Sequence, residues 1–443
     1  MKFKAQHLLS YFIFCIICAV LEFAFFRQNL SINLIFYLVH LTLSFYILNR
    51  ICGQIFLQDI RVIFLISYAL YTIVLPLSVL FDSQTDLYFY SFADIGVNGT
   101  VILSTLGLFG FNCALLKFQV PWVKQIKNNN VKKINNAFPA VLFVILIIIS
   151  LVGFMFAKGI TLSLNVENGR LATGYQLWIF LVLLLNGAFL FLFLNFSRFA
   201  KNIKMLIVGC ALFYAYLILV PLGGRRELLP IVFLLIFFLF EKNKTSLKSV
   251  FFLTFLFLLF IVIGGVRELD KTNVSIENVF KYVMVNNEFS IPARHTITYL
   301  KNDNWNLLLG WSYIYLPVIF IPRDFLAGYK PVALAWQTDI LFHTSSSGAA
   351  AFTPITEAYI NFSWIGPVFV FFILAWFFSY SIKKYKTNPV LYLLGFINVF
   401  DFNRGEFALI LYEIVFLYIG FFTAKILVNA SKQKVLQNTI YEK

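Results

Sequence analysis

Long apolar runs alternate with short polar connectors along most of the chain. Runs long enough to cross a bilayer lie at 8–26, 30–49, 62–81, 98–117, 138–157, 175–197, 205–222, 249–266, 361–381 and 405–428. Each predicts a spanning helix, because hydrocarbon offers no partner to an unpaired backbone amide. Two shorter runs, 228–241 and 389–402, are weaker candidates. With both included, the pattern predicts an all-α polytopic membrane protein of about twelve transmembrane helices.

The alternation breaks once, in the hydrophilic stretch 267–360. The chain is thereby divided into 1–266 with helices one to nine, a large loop 267–360, and 361–443 with helices ten to twelve and a cytoplasmic tail. Within the loop, 273–300 is mixed and predicts helix up to Pro292 and again after it. The run 311–321 is apolar, aromatic and too short to span, which predicts a re-entrant or interfacial element on the outer leaflet. A loop this long, and too apolar to stand free in water, is where function is expected.

Composition agrees with the pattern. The chain is 60% hydrophobic and 12% charged, with a mean hydropathy of +0.84, which excludes a soluble domain. A net charge of +15 would point to nucleic acid in a soluble protein. Here the cations gather in short connectors, so no nucleic-acid partner is implied. Placing the N-terminus inside puts Arg50, Arg61, Lys117, Lys124, Lys127, Lys132, Lys133, Arg198, Lys201, Lys204, Lys242, Lys244, Lys248, Lys383, Lys384 and Lys386 on the inner side. The connector 82–94 then lies outside with three acids and no base. The bias predicts an N-in, C-in topology and supports the two short spans, since omitting either would put a lysine cluster outside. The N-terminal run has no small-residue cleavage site and predicts a retained first span. Cys15 and Cys18 form C-x-x-C inside an apolar helix with only His7 in the same segment, so the cysteines predict neither a metal site nor a disulfide framework.

Arginine breaks the charge rule. Eight of the eleven arginines fall on the outer side: Arg27, Arg170, Arg225, Arg226, Arg267, Arg294, Arg323 and Arg404. Topology does not ask for cations there. The planar guanidinium binds phosphate or carboxylate bidentately, which lysine cannot do. Four of these residues belong to local patterns. Gly223-Gly224-Arg225-Arg226-Glu227-Leu228 recurs as Gly264-Gly265-Val266-Arg267-Glu268-Leu269, each copy at the end of an apolar run. The glycines allow a ligand close to the backbone, and Glu227 and Glu268 are read as neutralising the arginines. In the late loop, Pro322 and Pro331 bracket Arg323 and Lys330 and stiffen the backbone that carries them. Snorkelling interface anchors are the competing reading for all of these cations.

Candidate bases lie nearby. Glu357 sits beside an apolar span, where desolvation suits a carboxylate to accept a proton. A helix N-terminal acid facing the dipole is the bland alternative. His295, His343 and Glu288 are the other candidates. There is no P-loop, no H-E-x-x-H and no D-x-D spacing for a divalent metal, so neither metal nor other cofactor is predicted.

Three elements together resemble the oligosaccharide repeat-unit polymerases, the Wzy-type O-antigen and capsule polymerases. These are the arginine turn at 224–226, the I-P-R…K-P element at 321–331, and T-P-I-T-E-A-Y-I-N-F-S-W-I-G at 353–366, in that order. The resemblance implies a GT-C-like, metal-independent membrane glycosyltransferase of the bacterial inner membrane with its active site facing the periplasm. Its substrates would be undecaprenyl-diphosphate-linked oligosaccharides held among membrane lipids, and a chain-length regulator is a further implied partner. Carried over by position, Arg225 and Arg226 match the arginine turn, Arg323 and Lys330 the P-R…K-P element, and Glu357 the late glutamate. Related ligases place a histidine near His343, although the spacing from His343 to Gly366 does not follow a ligase pattern. The expected catalytic set is Glu357, Arg226, Arg323, His295 and His343. Arg225, Arg267, Arg294, Tyr329 and Lys330 join the arginines in holding diphosphate and sugar. Trp305, Trp311, Tyr313 and Tyr329 can stack on sugar faces or anchor the interface. A lipid-linked oligosaccharide flippase and an O-antigen ligase are the alternatives.

Overall fold

The computed structural model describes residues 10–11, 13–14, 17, 29–81, 95–122, 137–157, 175–219, 230–232, 234, 289–290, 292–302, 305–315, 318, 334 and 352–441. All regular structure among these residues is helical. The helices are α1 Leu30–Cys52, α2 Ile60–Phe81, α3 Ile95–Phe118, α4 Phe138–Ala157, α5 Tyr175–Leu194, α6 Lys201–Leu219, α7 Ala293–Lys301, α8 Trp311–Ile314, α9 Pro354–Phe362, α10 Gly366–Lys384, α11 Pro389–Ile397, α12 Asp401–Arg404 and α13 Phe407–Tyr441. Seven stretches among the described residues are long and apolar enough to cross a membrane. The protein is therefore an all-α, membrane-embedded chain. Its outward faces agree: Ile35, Ile149, Phe156, Met205 and Leu212 are more than half exposed, which lipid tolerates and water does not.

The expected spans at 30–49, 62–81, 98–117, 138–157, 175–197 and 205–222 each coincide with one helix, α1 to α6. The runs 8–26, 228–241 and 249–266 fall wholly or largely outside the described residues.

The chain folds as two compact units. The first holds α1 to α3, α7 to α10, most of α11, α12 and the first turn of α13. Paired residues give the helix directions. Asn33 bonds Asn98, and the His40 carbonyl accepts from Asn112, so α1 and α3 run parallel. Phe64 stacks on Phe111 and the Tyr68 hydroxyl donates to the Ser104 carbonyl, so α2 runs antiparallel to both. Gly110 lies against the Val368 backbone and Phe118 against Phe372, so α10 is parallel to α3. A side chain at Gly110 would collide with the Val368 carbonyl, so glycine there sets how closely α3 and α10 approach.

That contact also sets depth. Gly110 lies fifteen residues after Ile95 and faces Val368, the third residue of α10, so α10 starts about 20 Å below the first residue of α3. The first half of α3 is covered instead by α7 and α9. Ile297 and Ala293 of α7 share a buried cluster with Leu75, Val79 and Val97. The chain turns at Ser363–Ile365, where Ser363 has φ 56°, and the Ala358 carbonyl rests on Gly366. Helix α9 thus packs back beside the start of α10 and does not prolong it. Parts of the stretch read as an outer loop are lodged among the spanning helices.

Two expectations change. The run 389–402 does not form one spanning helix. It breaks into α11, of nine residues, and α12, of four, joined by a turn at 398–400. Nine residues rise about 14 Å against a hydrocarbon core of about 30 Å. The break is tolerated because it is buried in protein: Val399, Phe400, Asp401 and Asn403 are all buried. Side chains from this segment satisfy α2, with the Tyr392 hydroxyl accepting from Ile60 N and donating to the Gln58 carbonyl, and the Asn403 amide donating to Ser67 Oγ.

Arg61 is the second. Counted by sequence as an inner-face cation, it is fully buried and forms an ion pair with Asp59, Nη2 to Oδ2 at 2.5 Å and Nε to Oδ1 at 2.9 Å. Its Nη1 donates to the Val120 carbonyl at 2.8 Å. Trp122 N donates to Cys52 Sγ, and the Trp122 ring lies on Tyr385 and Tyr392. Arg61 therefore adds no net charge to that face. It joins the α1–α2 connector to the end of α3 and, through Trp122, to the α10–α11 connector.

The second unit contains α4, α5, α6 and most of α13. Phe154 packs on Trp178 and Phe189 on Tyr214, joining α5 to α4 and α6. Gly187 of α5 meets the Leu417 carbonyl, and Gly420 of α13 meets that of Leu184, a reciprocal small-residue contact of the kind that brings membrane helices together.

Candidate functional site

The first unit carries the expected site residues that the structure describes, Glu357 and His295. The Glu357 side chain owes its place to a short, well-started helix. Thr353 caps α9, its hydroxyl accepting from Thr356 N at 3.1 Å, and Pro354 occupies the first turn, where its missing N–H costs nothing. Glu357 and Asn361 are four residues apart and so share a face. Every residue from Pro354 to Asn361 is buried.

Glu357 is fully buried, yet both its carboxylate oxygens are bonded. Oε1 accepts from Ser312 Oγ at 2.8 Å, and Oε2 accepts from the Phe407 backbone N–H at 2.8 Å. Asn361 Nδ2 donates to Ser312 Oγ at 2.8 Å and to the Glu357 carbonyl at 2.7 Å. A single direction runs through the cluster: Asn361 to Ser312 to Glu357. The Phe407 amide is one of the first N–H groups of α13, which have no partner within their own helix. A carboxylate there satisfies one of them and meets the positive end of the helix dipole. The Glu406 carboxylate is also within electrostatic reach of Glu357.

Helix α8 delivers Ser312. A turn through Leu309 (φ 48°) and Gly310 (φ 84°) precedes it, and Leu308 N donates to the Ile360 carbonyl at 2.9 Å. Trp311 and Ile314 are more than half exposed, while Ser312 and Tyr313 turn inward. Tyr313 stacks on Phe362 at 6.0 Å and meets Phe407 edge-on at 5.6 Å.

A second polar group lies beside this corner. Thr356 Oγ1 is 2.6 Å from both Thr296 Oγ1 of α7 and Thr353 Oγ1. Thr296 and Thr353, with Tyr68, Thr72, Thr100, Ser104 and Asn403, line a cavity with about 10 Å³ open to the centre of a water molecule. That is close to the minimum one water needs. Thr72, Thr100 and Ser104 donate their hydroxyl hydrogens to carbonyls one turn back in their own helices, and the Tyr37 hydroxyl lies against Thr72 Oγ1. His295 is buried against Phe352 at 5.5 Å, one residue from Thr296.

Arg225, Arg226, Arg267, Arg323, Tyr329, Lys330 and His343 lie outside the described residues, as does Glu288. Arg294 belongs to α7, but its side chain is not among those described. The aromatics divide. Trp305 is packed between Tyr299 and Tyr359, its indole N–H donating to the Tyr299 carbonyl at 3.0 Å. Phe362 and Phe407 hold Tyr313 in place. Trp311 remains exposed. Sequence reasoning missed Ser312, Asn361 and the three threonines. Their signals were the Glu357–Asn361 spacing and the hydroxyl-rich beginnings of α7 and α9. Among the described residues no three His, Cys, Asp or Glu side chains gather as metal ligands would. No protein-family model, curated protein or solved structure matches this chain.

Proposed function

We propose that this chain polymerises lipid-linked oligosaccharide repeat units at the periplasmic face of a bacterial inner membrane. In this reading the spanning helices take a GT-C-like arrangement, with the N-terminus inside and the broken α11–α12 segment buried largely within the first unit. The growing glycan leaves its undecaprenyl diphosphate and joins the non-reducing end of a new lipid-linked repeat unit. The acceptor hydroxyl oxygen attacks the anomeric carbon, the bond from that carbon to the diphosphate oxygen breaks, and a base takes the hydroxyl proton.

The observation that carries the reading is the lodging of α7 and α9 beside the first half of α3. It puts Glu357, His295 and a set of hydroxyls within a bundle of spanning helices. Those helices come from the same stretch of chain that bears Arg294, Arg323 and Lys330. Arginines in a partly dehydrated site would stabilise the charge that develops on the departing diphosphate. The Asp59–Arg61 knot, at the opposite end of α2 from the α7 contact, favours access from one side and so a transferase over a flippase.

The test is the polysaccharide ladder of a deletion strain complemented with variants. Arg226→Ala and Arg323→Ala are expected to abolish long chains and leave single repeat units on the lipid carrier. Normal chain-length distributions in both would overturn the proposal. Repeat units held on the inner leaflet of the deletion strain would indicate a flippase. Absence of even one repeat unit from the lipopolysaccharide core would indicate a ligase.

A further inference from the structure

The corner that holds Glu357 contains two buried polar atoms with no hydrogen-bond partner, Tyr313 Oη and Asn361 Oδ1. Native interiors rarely leave such atoms unpaired, and each asks for a hydrogen-bond partner. Their neighbours set what each can do. Asn361 Nδ2 donates to the Glu357 carbonyl, an obligate acceptor, at 2.7 Å, which fixes the amide orientation and leaves Oδ1 as an acceptor. Burial and the neighbouring Glu357 carboxylate push the Tyr313 phenol well above its ordinary range. It therefore stays protonated and remains a donor.

Both atoms belong to residues around the same pair, Glu357 and Ser312. Asn361 bonds Ser312 directly, and the Tyr313 ring lies against Phe362, the residue after Asn361, and against Phe407, whose N–H bonds Glu357. One chemical group answers an unpaired donor and an unpaired acceptor together: a hydroxyl. Glu357 has capacity left for it, since a carboxylate offers about four lone-pair sites and one bond to each oxygen is in place.

We propose that Tyr313, Asn361 and Glu357 form a subsite for one saccharide hydroxyl, with Tyr313 Oη donating to it and Asn361 Oδ1 accepting from it. The identity of that hydroxyl as the acceptor of glycosyl transfer rests on the function proposed above. In that reaction its oxygen bonds the anomeric carbon, the carbon–oxygen bond to the diphosphate breaks with its electron pair, and the proton passes to the Glu357 carboxylate.

Tyr313→Phe is the decisive variant, because it removes only an oxygen that has no hydrogen-bond partner within the protein. Full-length protein is purified in a detergent without a sugar headgroup. The probe is the repeat-unit oligosaccharide released by mild acid from the host's lipid-linked pool. Tyr313→Phe is expected to weaken its binding about three- to tenfold, the effect of one lost hydrogen bond, with an unchanged melting temperature. Asn361→Ala is expected to weaken it as well. Unchanged binding with a lowered melting temperature would mean that a structural water alone occupies the corner, and would overturn the subsite. The polymer ladder separates the two proposals. Weakened binding in Tyr313→Phe beside a normal ladder in Arg226→Ala and Arg323→Ala keeps the subsite and removes the polymerase. A lost ladder in those variants beside unchanged binding does the reverse.

Discussion

Glu357 Oε2 accepts the backbone N–H of Phe407 at 2.8 Å, so a carboxylate of one short helix caps the start of another, 50 residues later in the chain. The same side chain is the sequence's first choice for a base. Substitution separates the two roles. Glu357→Ala strands the Phe407 amide and the Ser312 hydroxyl and is expected to cost about 1–3 kcal/mol of stability, read as a lowered melting temperature. Glu357→Gln keeps an acceptor oxygen for one of them and is expected to melt closer to wild type. A ladder lost in a well-folded Glu357→Gln protein marks proton transfer. A normal ladder leaves the residue as a cap.

The Asp59–Arg61 pair is buried on both sides, at 1% and 0% exposure. Removing one partner leaves a buried, uncompensated charge. Asp59→Asn and Arg61→Met are each expected to destabilise the first unit by about 3–5 kcal/mol. Replacing both with apolar residues is expected to recover much of that loss. The check is thermal unfolding of the singles and the double; equal, additive losses would show that the pair is not coupled.

Gly110 and Gly209 make opposite predictions from one residue type. Gly110→Ala drives a methyl into the Val368 backbone carbonyl and is expected to cost about 1–3 kcal/mol as α3 and α10 are forced apart. A side chain at Gly209 on α6 meets nothing within 4 Å. Gly209→Ala is expected to be neutral or to stabilise by about 0.5–1 kcal/mol through helix propensity. Melting temperatures in one detergent decide both.

Thr356 joins α9 to α7 through its 2.6 Å hydroxyl contact with Thr296, and a second 2.6 Å contact ties it to Thr353, the cap of its own helix. Thr356→Val keeps the shape and removes both, at an expected cost of about 1 kcal/mol. Thr356→Ser is expected to retain most of the wild-type stability. Faster amide exchange across 293–301 in Thr356→Val, with 201–219 unchanged, would locate the effect at this joint.

Spanning helices were legible in the chain because length and apolar content are local properties. Six runs between 30 and 222 each became one helix, and the membrane assignment followed from them. The run 389–402 looked like a weaker member of the same set. Its break could be read only beside α2, whose backbone and side chains take up Tyr392 and Asn403 from more than 330 residues away. Arg61 misled the charge count for the same reason, since a formula that sums cations cannot see that Asp59 and the Val120 carbonyl have closed around one of them.

The polar corner divides along that line. Glu357 stood out as an acid at the edge of an apolar run, and His295 as a titratable group in the late stretch. Ser312 carried no mark of its own, Tyr313 was legible only as an aromatic for stacking or anchoring, and Asn361 only as a residue one turn from Glu357, because a serine, a tyrosine or an asparagine gains its role from what faces it. Hydropathy settles whether a segment leaves water, since that free energy scales with its own apolar surface. Which helix it then lies against depends on close backbone approach and on pairing every buried polar atom. Those contacts join residues remote in sequence. They set α7, from the stretch read as an outer loop, against α2 and α3, and α9 against α7.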